Sequence, residues 1–208
     1  MAGGRLIALE GGEGCGKSTQ ARLLAASLGA VLTHEPGGTA VGGRLRDILL
    51  DPTVELGART EALLMAADRA EHVATVVRPA LERGCDVVTD RFIGSSLAYQ
   101  GHGRDLPVDE VRSLSAWATG GLDADLVVFL DVPAWVAATR RRRPHDRLDA
   151  AGVEFHRRVL DGFARLAADD PARWVAVDGT GSVEAVATAV RAVVDERLGH
   201  VRGGGPGA

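Results

Sequence analysis

Residues 6–18, which read LIALEGGEGCGKS, decide the fold of this chain. The apolar run LIALE predicts a buried β-strand, and residues 11–18 match the phosphate-binding motif G-x-x-x-x-G-K-[ST]. A helical pattern follows at once over residues 17–28. Glycines let backbone N–H groups surround phosphates, and the helix N-terminus adds donors. We therefore predict a strand–loop–helix nucleotide site, with Lys17 on the β- and γ-phosphates and Ser18 on Mg²⁺.

The rest of the chain repeats this alternation. Apolar runs predict strands at residues 30–33, 86–89, 126–131 and 174–177, and helical patterns fill residues 42–50, 58–83, 108–117, 134–141, 152–168 and 183–198. Apolar strands separated by helices are typical of a parallel sheet covered on both faces. We predict an α/β fold of the P-loop NTPase type, a five-stranded parallel sheet flanked by helices, with ligands at the carboxyl ends of its strands.

We expect one domain over residues 1–201 of the 208-residue chain. Residues 140–151 interrupt the pattern, because they are dense in arginine and carry a proline between two helices, and we interpret them as a short Arg-rich lid. The Gly-rich tail, residues 202–208, is predicted to be disordered.

Bulk composition narrows the functional classes. The formal net charge is −4, so there is no overall positive field to hold a nucleic acid. No apolar run approaches the ~18 residues of a membrane span, and no signal peptide precedes the first strand. Two cysteines are too few for a disulfide framework. We expect a cytoplasmic protein without nucleic-acid or membrane partners.

Lys17 is the only lysine among the 24 basic residues, and the chain contains no asparagine. The N-K-x-D element with which GTPases read guanine is therefore missing. A motor or helicase ATPase would usually be larger and carry nucleic-acid contacts. An Arg-dense lid suits a small kinase, because phosphoryl transfer gathers several negative phosphates in a site closed to water. The residues favour ATP-dependent phosphorylation of a small acceptor.

Several segments together resemble the thymidylate kinases of bacterial type. They are ALEGGEGCGKST, THEPGGT followed by LRDILL, TEALLMAADRAEH, VVTDRFIGSSLAYQGHGR, LVVFLDVP and DRLDAAGVEFHRRVLDGF. Their order and spacing match the family's over nearly the whole chain. The DR-x-x-x-S-S-x-A-Y-Q-G and E-P-G-G-T elements together are much more specific than the phosphate-binding motif. The resemblance implies phosphorylation of dTMP to dTDP by ATP with Mg²⁺, through direct in-line transfer, in a homodimer.

Motif position and resemblance together give three sets of candidate residues. The catalytic candidates are Lys17, Arg91, Glu13, Asp90 and the lid residue Arg143. The ATP-binding candidates are Gly11, Gly12, Glu13, Gly14, Cys15, Gly16, Lys17, Ser18, Thr19 and Arg147, of which Ser18 joins Asp90 as a metal ligand. The acceptor-binding candidates are Glu13, Pro36, Arg46, Met65, Arg69, Arg91, Ser95, Ser96, Tyr99 and Gln100.

Charge dictates several of these roles. Asp90 follows the predicted strand at residues 86–89, beside the phosphate-binding motif, where a carboxylate can help to hold hydrated Mg²⁺. Arg91 and Arg69 would clamp the acceptor phosphate with guanidinium forks, and the resemblance implies the same for Arg46. The resemblance also implies that Glu13 reaches the acceptor's 3′-hydroxyl and nearby arginines.

The remaining roles concern the sugar, the base and the lid. The resemblance implies that Tyr99 packs against the deoxyribose and disfavours a 2′-hydroxyl, and that Pro36 contacts sugar and base. Ser95, Ser96 and Gln100 are hydrogen-bonding candidates for the base edge. One lid arginine would stabilise charge on the transferring group.

Three positions depart from the family pattern. Met65 replaces the phenylalanine that stacks on thymine, His34 replaces a common arginine, and Phe92 replaces a common tyrosine. Methionine offers a polarizable contact but less flat area. Two alternatives therefore stay open: a kinase for another pyrimidine nucleotide, such as dUMP, dCMP or a modified nucleotide, and a nucleotide-binding protein that has lost turnover.

Overall fold

A computed structural model describes residues 3–140 and 146–199, and within them the chain forms one five-stranded sheet. All registered strand pairs are parallel, and the order is β2-β3-β1-β4-β5. The strands are β1 (Leu6–Glu10), β2 (Val31–His34), β3 (Val87–Asp90), β4 (Leu126–Asp131) and β5 (Trp174–Asp178). The predicted α/β class, the number of strands and their parallel pairing are confirmed.

Helices connect and cover the strands. They are α1 (Lys17–Leu28), α2 (Ala40–Leu50), α3 (Ala58–His72), α4 (Arg78–Glu82), α5 (Ile93–Ser96), α6 (Val108–Thr119), α7 (Ala134–Arg140), α8 (Val153–Asp169) and α9 (Val183–Leu198). A π-helical segment, Val73–Val77, makes α3 and α4 continuous, as the single predicted helix over residues 58–83 requires. The sequence pattern did not predict α5 or the π-helical segment Leu97–Gly103 that continues it.

The central strand β1 shows why both faces of the sheet must be covered. Leu6 and Ala8 point into one apolar cluster, whereas Ile7 and Leu9 point into the other. Side chains alternate along a strand, so a strand that is apolar at every position belongs between two layers. Residues of α1 and α9 line one cluster, and residues of α6 and α8 line the other.

This topology places the ends of β1, β2 and β3 at one edge of the sheet. Register pairs Leu9 with Asp90 and His34 with Asp90, so the segments that follow these strands lie side by side. The phosphate-binding motif, the E-P-G-G-T loop and the Asp90-Arg91 pair therefore meet at this edge.

Two parts of the sequence prediction lie outside the described residues. Residues 141–145, which include Arg143 of the predicted lid, are among them, as is the predicted tail at residues 202–208. Among the helices of residues 3–140 and 146–199, none combines the length and apolar character that crossing a membrane requires.

Candidate active site

The backbone of the loop between β1 and α1 curves around an open space. Gly11, Gly14 and Gly16 all have positive φ, and a Cβ on Gly11 would lie 2.8 Å from the carbonyl oxygen of Leu130. Only glycine fits that approach. Lys17 Nζ donates to the carbonyl oxygens of Gly11 at 3.0 Å and Gly12 at 2.7 Å, which holds the ammonium group across the loop. A phosphate in the loop would offer it stronger, charged acceptors.

Ser18 and Asp90 form a second feature beside this loop. Ser18 Oγ donates to Asp90 Oδ2 at 2.5 Å, while Asp90 Oδ1 is buried and has no hydrogen-bond partner among the described residues. A buried, unpaired carboxylate oxygen calls for an explanation. A hydroxyl oxygen next to a carboxylate fits Mg²⁺, which keeps several waters and uses one or two protein ligands together with substrate phosphates. The described residues contain no cluster of three or more His, Cys, Asp or Glu side chains that could hold a metal without such a substrate.

Arg91 connects the phosphate-binding loop to the other half of the site. Its backbone is left-handed, with φ at 74°, which is unusual for a non-glycine residue and typical of functional positions. Its guanidinium group donates to Glu13 Oε1, to Ser95 Oγ at 3.0 Å and to the hydroxyl of Tyr99 at 3.3 Å. It also lies 5.0 Å from the centre of the Tyr99 ring. Glu13, Arg91 and Tyr99 thus form one hydrogen-bonded group.

Electrostatics keep this group in defined protonation states. Burial lowers the pKa of Arg91, but the nearby Glu13, Tyr99 and Asp90 more than compensate, so the pKa ends well above its usual value. Burial raises the pKa of Tyr99 far above its usual value, against the opposing effect of Arg91. At neutral pH the site therefore presents a guanidinium cation beside a neutral phenol.

Arg69 lies deeper, at the floor of this half. Its Nε donates to Glu35 Oε2 at 2.8 Å, Nη1 to Ser96 Oγ at 3.0 Å, and Nη2 to the carbonyl oxygen of Phe92 at 2.9 Å. Glu35 Oε1 lies 2.8 Å from His72 Nδ1, so both carboxylate oxygens are engaged. Since all these side chains are buried, the network is fixed before any ligand arrives.

One cavity of ≈ 1270 Å³ contains both halves. A typical small-molecule site spans roughly 300–1,000 Å³, so this volume suits two ligands held end to end. Its lining includes Lys17, Ser18 and Asp90 on one side and Arg69 and Arg91 on the other. A donor and an acceptor can therefore meet between Lys17 and Arg91.

Comparison with known proteins agrees with this geometry. A thymidylate kinase family model matches residues 9–190. The thymidylate kinase of Leifsonia xyli is 49% identical over 203 residues, covering 94% of this chain and 96% of the relative. That of Synechococcus sp. is 49% identical over 199 residues, covering 92% and 95%. The crystal structure of thymidylate kinase from Ehrlichia chaffeensis superposes with a TM-score of 0.78 at 30% identity, covering 93% of this chain and 99% of the other.

The chain belongs to the thymidylate kinase family. Most of its predicted site residues line the shared cavity, namely Glu13, Gly14, Cys15, Gly16, Lys17, Ser18, Thr19, Pro36, Arg46, Met65, Arg69, Asp90, Arg91, Ser95, Ser96, Tyr99 and Gln100. Arg46 Nη1 donates to the carbonyl oxygen of Pro36 at 2.8 Å, which fixes the E-P-G-G-T loop. Met65 lies half-buried at the position where the family commonly has phenylalanine.

His34 also lines the cavity, where the family commonly has arginine. Burial and the neighbouring Arg46 lower the pKa of His34, so it is neutral at pH 7. His34 therefore adds no cation to this cavity at neutral pH.

Two predicted residues have other partners in this structure. Arg147, expected to bind ATP, does not line the cavity: its Nε donates to the carbonyl oxygen of Leu49 at 2.8 Å, and its Nη1 lies 2.7 Å from Glu61 Oε2. Ser95, expected at the base edge, donates to Glu10 Oε2 at 2.6 Å and accepts from Arg91 Nη1 at 3.0 Å.

Sequence reasoning missed four supporting residues: Glu10, Glu35, His72 and Glu61. All four are buried and charged or titratable, and each belongs to a network with a residue that the motifs did identify. Glu10 accepts from the backbone N–H groups of Phe92 and Ser95, both at 2.9 Å, and so positions the start of α5. An acidic residue inside or next to an apolar run was the available signal, because burying a carboxylate is costly unless it has partners.

Proposed function

We propose that this chain phosphorylates dTMP to dTDP with ATP as the donor, by direct in-line transfer. The observation that carries the proposal is the single cavity that holds the phosphate-binding loop at one end and the Arg91 group at the other. In such an arrangement positioning and electrostatics supply the catalysis, and no covalent enzyme intermediate is needed.

The donor side would hold Mg-ATP through the loop of residues 11–18. Lys17 would exchange its backbone acceptors for the β- and γ-phosphate oxygens, because charged acceptors bind an ammonium group more strongly than carbonyl oxygens do. Ser18 Oγ and Asp90 would hold the Mg²⁺, directly or through water. When bound, this ion would neutralise charge that develops on the transferring phosphate.

The acceptor phosphate would lie against Arg91, with Arg46 as a second cation. The guanidinium group of Arg91 already binds Glu13 and Ser95, and its fork of donors also suits a phosphate. Glu13 would then accept the acceptor's 3′-hydroxyl while keeping part of its contact with Arg91. Tyr99, packed edge-on against Phe155 and Phe163, would form the wall under the deoxyribose.

The base would lie between Met65 and the floor formed by Arg69, Ser96 and Gln100. Because Arg69 is enclosed by Glu35, Ser96 and Phe92, we assign it to the base rather than to the acceptor phosphate. Its guanidinium group can only donate, so it suits a carbonyl oxygen of the base. Pro36 would close the pocket from the E-P-G-G-T loop.

The lid contribution rests on the arginines that begin at Arg140. Arg140 lines the cavity and donates to the carbonyl oxygens of Gly179 and Thr180 at 2.8 Å and 3.0 Å, which places it at the donor side. Arg143 remains our candidate for the transferring phosphate. Arg147 is paired with Glu61 through Nη1, and its buried Nη2 has no hydrogen-bond partner among the described residues. Single Arg→Ala changes at these positions would identify the one whose loss lowers kcat most.

We also propose a cytoplasmic homodimer. Helices α3 and α6 pack together, and each carries an exposed apolar side chain, Leu63 at 58% and Trp117 at 82% exposure. A contiguous exposed apolar patch marks an association surface, and we place that patch on these two helices. Light scattering should give twice the monomer mass, and Trp117→Glu should reduce it. The free thiols of Cys15 and Cys85 support a reducing compartment.

A coupled ADP-release assay with dTMP, dUMP and dCMP tests the central proposal. We expect the highest kcat/KM for dTMP, and loss of activity when Mg²⁺ is chelated. A kcat/KM for dUMP or dCMP at least equal to that for dTMP would favour the pyrimidine-kinase alternative. A lack of acceptor-dependent ADP release with all three nucleotides would favour the non-catalytic alternative.

A further inference from the structure

Glu61 is a buried carboxylate that the phosphoryl-transfer chemistry does not use. It lies in the first turn of α3 with 0% exposure, on the same helix face as Met65 and Arg69, which follow at intervals of four residues. Gln100 Nε2 donates to its Oε1 at 2.8 Å. Arg104 Nη2 donates to its Oε2 at 3.0 Å, and Arg147 Nη1 lies 2.7 Å from the same oxygen.

The two arginines hold this carboxylate in place and balance its charge. Arg104 also lies 4.5 Å over the ring of Phe155, and Arg147 is tied to the carbonyl oxygen of Leu49, so neither is a loose surface cation. A buried charge that is paired on both oxygens stays fixed, whereas removing its partners would be costly. Glu61 is therefore a rigid hydrogen-bond acceptor behind the base pocket.

A rigid acceptor determines which end of the Gln100 amide faces it. A carboxylate held between two arginines serves as a hydrogen-bond acceptor, and the NH₂ end of Gln100 is the end that points to Glu61. The carbonyl end must turn the other way. Gln100 lines the same cavity as Arg69 and Ser96. The orientation of its amide therefore decides whether the base meets a hydrogen-bond donor or an acceptor there.

We propose that Glu61 is a positioning residue that sets base selectivity, because it presents the carbonyl oxygen of Gln100, and not its NH₂ group, to the acceptor base. The pocket then offers donors from Arg69 and Ser96 beside an acceptor from Gln100. Thymine and uracil match this order, with a carbonyl oxygen at C4 and an N–H at N3. Cytosine has the reverse order, an NH₂ at C4 and a bare N3, and is rejected.

The proposal deepens the proposed function, on which it rests, and it has a direct test in Glu61→Gln. A glutamine at position 61 can turn its own NH₂ toward Gln100, which lets the Gln100 amide rotate. Calorimetry would measure the Kd of dTMP, dUMP and dCMP for the wild type and the variant. We expect the dCMP-to-dTMP ratio of Kd values to fall by at least about tenfold, the size of one base-edge contact.

The dUMP-to-dTMP ratio is the internal control, because both bases present the same edge to Gln100. We expect it to stay constant, whereas general damage to the pocket would weaken all three nucleotides together. Glu110→Gln on α6 is the matched control, since Glu110 is an exposed carboxylate paired with Arg59. An unchanged dCMP-to-dTMP ratio in a Glu61→Gln variant with native circular dichroism would overturn the proposal.

A second variant covers the case in which Glu61→Gln does not fold. Gln100→Leu leaves Glu61 and its arginines in place but removes the oriented amide, and we expect the same loss of discrimination against dCMP. Retained discrimination in Gln100→Leu would refute the role of that amide. Because the readout is binding, a chain without dTMP turnover would contradict the proposed function and leave this test intact.

Discussion

The donor and acceptor halves of the cavity are built in different ways. The donor half consists of consecutive residues, 11–18, whose backbone forms the site, and Lys17 is held there by carbonyl oxygens and by the thiol of Cys15 at 3.5 Å. The acceptor half draws on side chains from several elements distant in sequence, and its arginines are paired with carboxylates. Arg91 pairs with Glu13, and Arg69 with Glu35.

This difference has a physical reason. A phosphate tail has the same shape in any nucleotide, so backbone donors on a glycine ring suffice to bind it. An acceptor must be recognised by its base, sugar and phosphate at once, which takes side chains in fixed orientations. Buried arginines need partners while the site is empty, and the carboxylates supply them. We therefore expect the donor half to tolerate different nucleotides and the acceptor half to be selective.

The largest expected effect comes from breaking the donor half at Lys17. Lys17→Met removes the ammonium group from the β- and γ-phosphates but keeps most of the length of the side chain. We expect kcat to fall by about 10³-fold or more, as for other groups that stabilise transferring phosphates. Single-turnover kinetics would measure the chemical step. The Kd of dTMP should change by less than about threefold, and a large change there would contradict the separation of the two halves.

The next largest effect comes from Arg91 in the acceptor half. Arg91→Lys keeps the charge but loses the fork that binds Glu13, Ser95 and a phosphate together. We expect kcat/KM for dTMP to fall by about 10²-fold, while the KM for ATP changes little. Arg22→Lys, an exposed position on α1, is the control. An equal fall in kcat/KM for dTMP and for ATP would show that Arg91 serves the donor side as well.

The same contrast explains what the sequence could predict. The strand–loop–helix arrangement of the phosphate-binding loop was predictable from the sequence, because its parts are contiguous. The sheet was predictable too, since its strands are continuous apolar runs between helices. Motif comparison also located Arg91 and, in the segment that follows it, Tyr99 and Gln100, although the sequence of that segment, IGSSLAYQGHG, shows no helical periodicity.

The partners of Arg69 and Arg147 could not be predicted from the sequence. Arg69 looked like a phosphate clamp because it is an arginine in a motif, but its neighbours Glu35 and Ser96 come from other elements. Likewise, Arg147 looked like an ATP ligand, and its pairing with Glu61 depends on a contact between distant parts of the chain that no local pattern encodes. Buried networks are properties of tertiary packing, so their members are seen only when the elements are assembled.

Met65 offers a smaller test, on the selective half alone. Met65→Phe restores the aromatic residue that the family commonly has, and we expect the Kd of dTMP to fall by about two- to tenfold, the value of one aromatic contact. Met65→Leu is the control for size without aromaticity and should change the Kd little. Calorimetry would measure the Kd of dTMP for both variants. A weaker affinity in Met65→Phe would mean that this pocket is shaped around methionine.

The smallest effect concerns Glu10, whose carboxylate accepts hydrogen bonds from the backbone of Phe92 and Ser95 next to the acceptor half. Burial raises the pKa of the Glu10 carboxyl above its ordinary value of 4.5, and the bonds to Ser95 and Phe92 and the charge of Arg91 only partly oppose this. The folded chain then binds more protons than the unfolded chain just above pH 4.5, so this group lowers the free energy of unfolding as the pH rises through that window.

Glu10→Gln keeps an acceptor for the N–H groups of Phe92 and Ser95 and removes the titration. The variant should therefore gain stability relative to the wild type as the pH is raised from about 4.5, the ordinary glutamate value, toward neutrality. Thermal unfolding at several pH values measures this difference in Tm, with the exposed Glu55→Gln as the control. A difference that is flat with pH would show that the Glu10 carboxyl titrates alike in both states. Its support of Arg91 would then come from its hydrogen bonds alone.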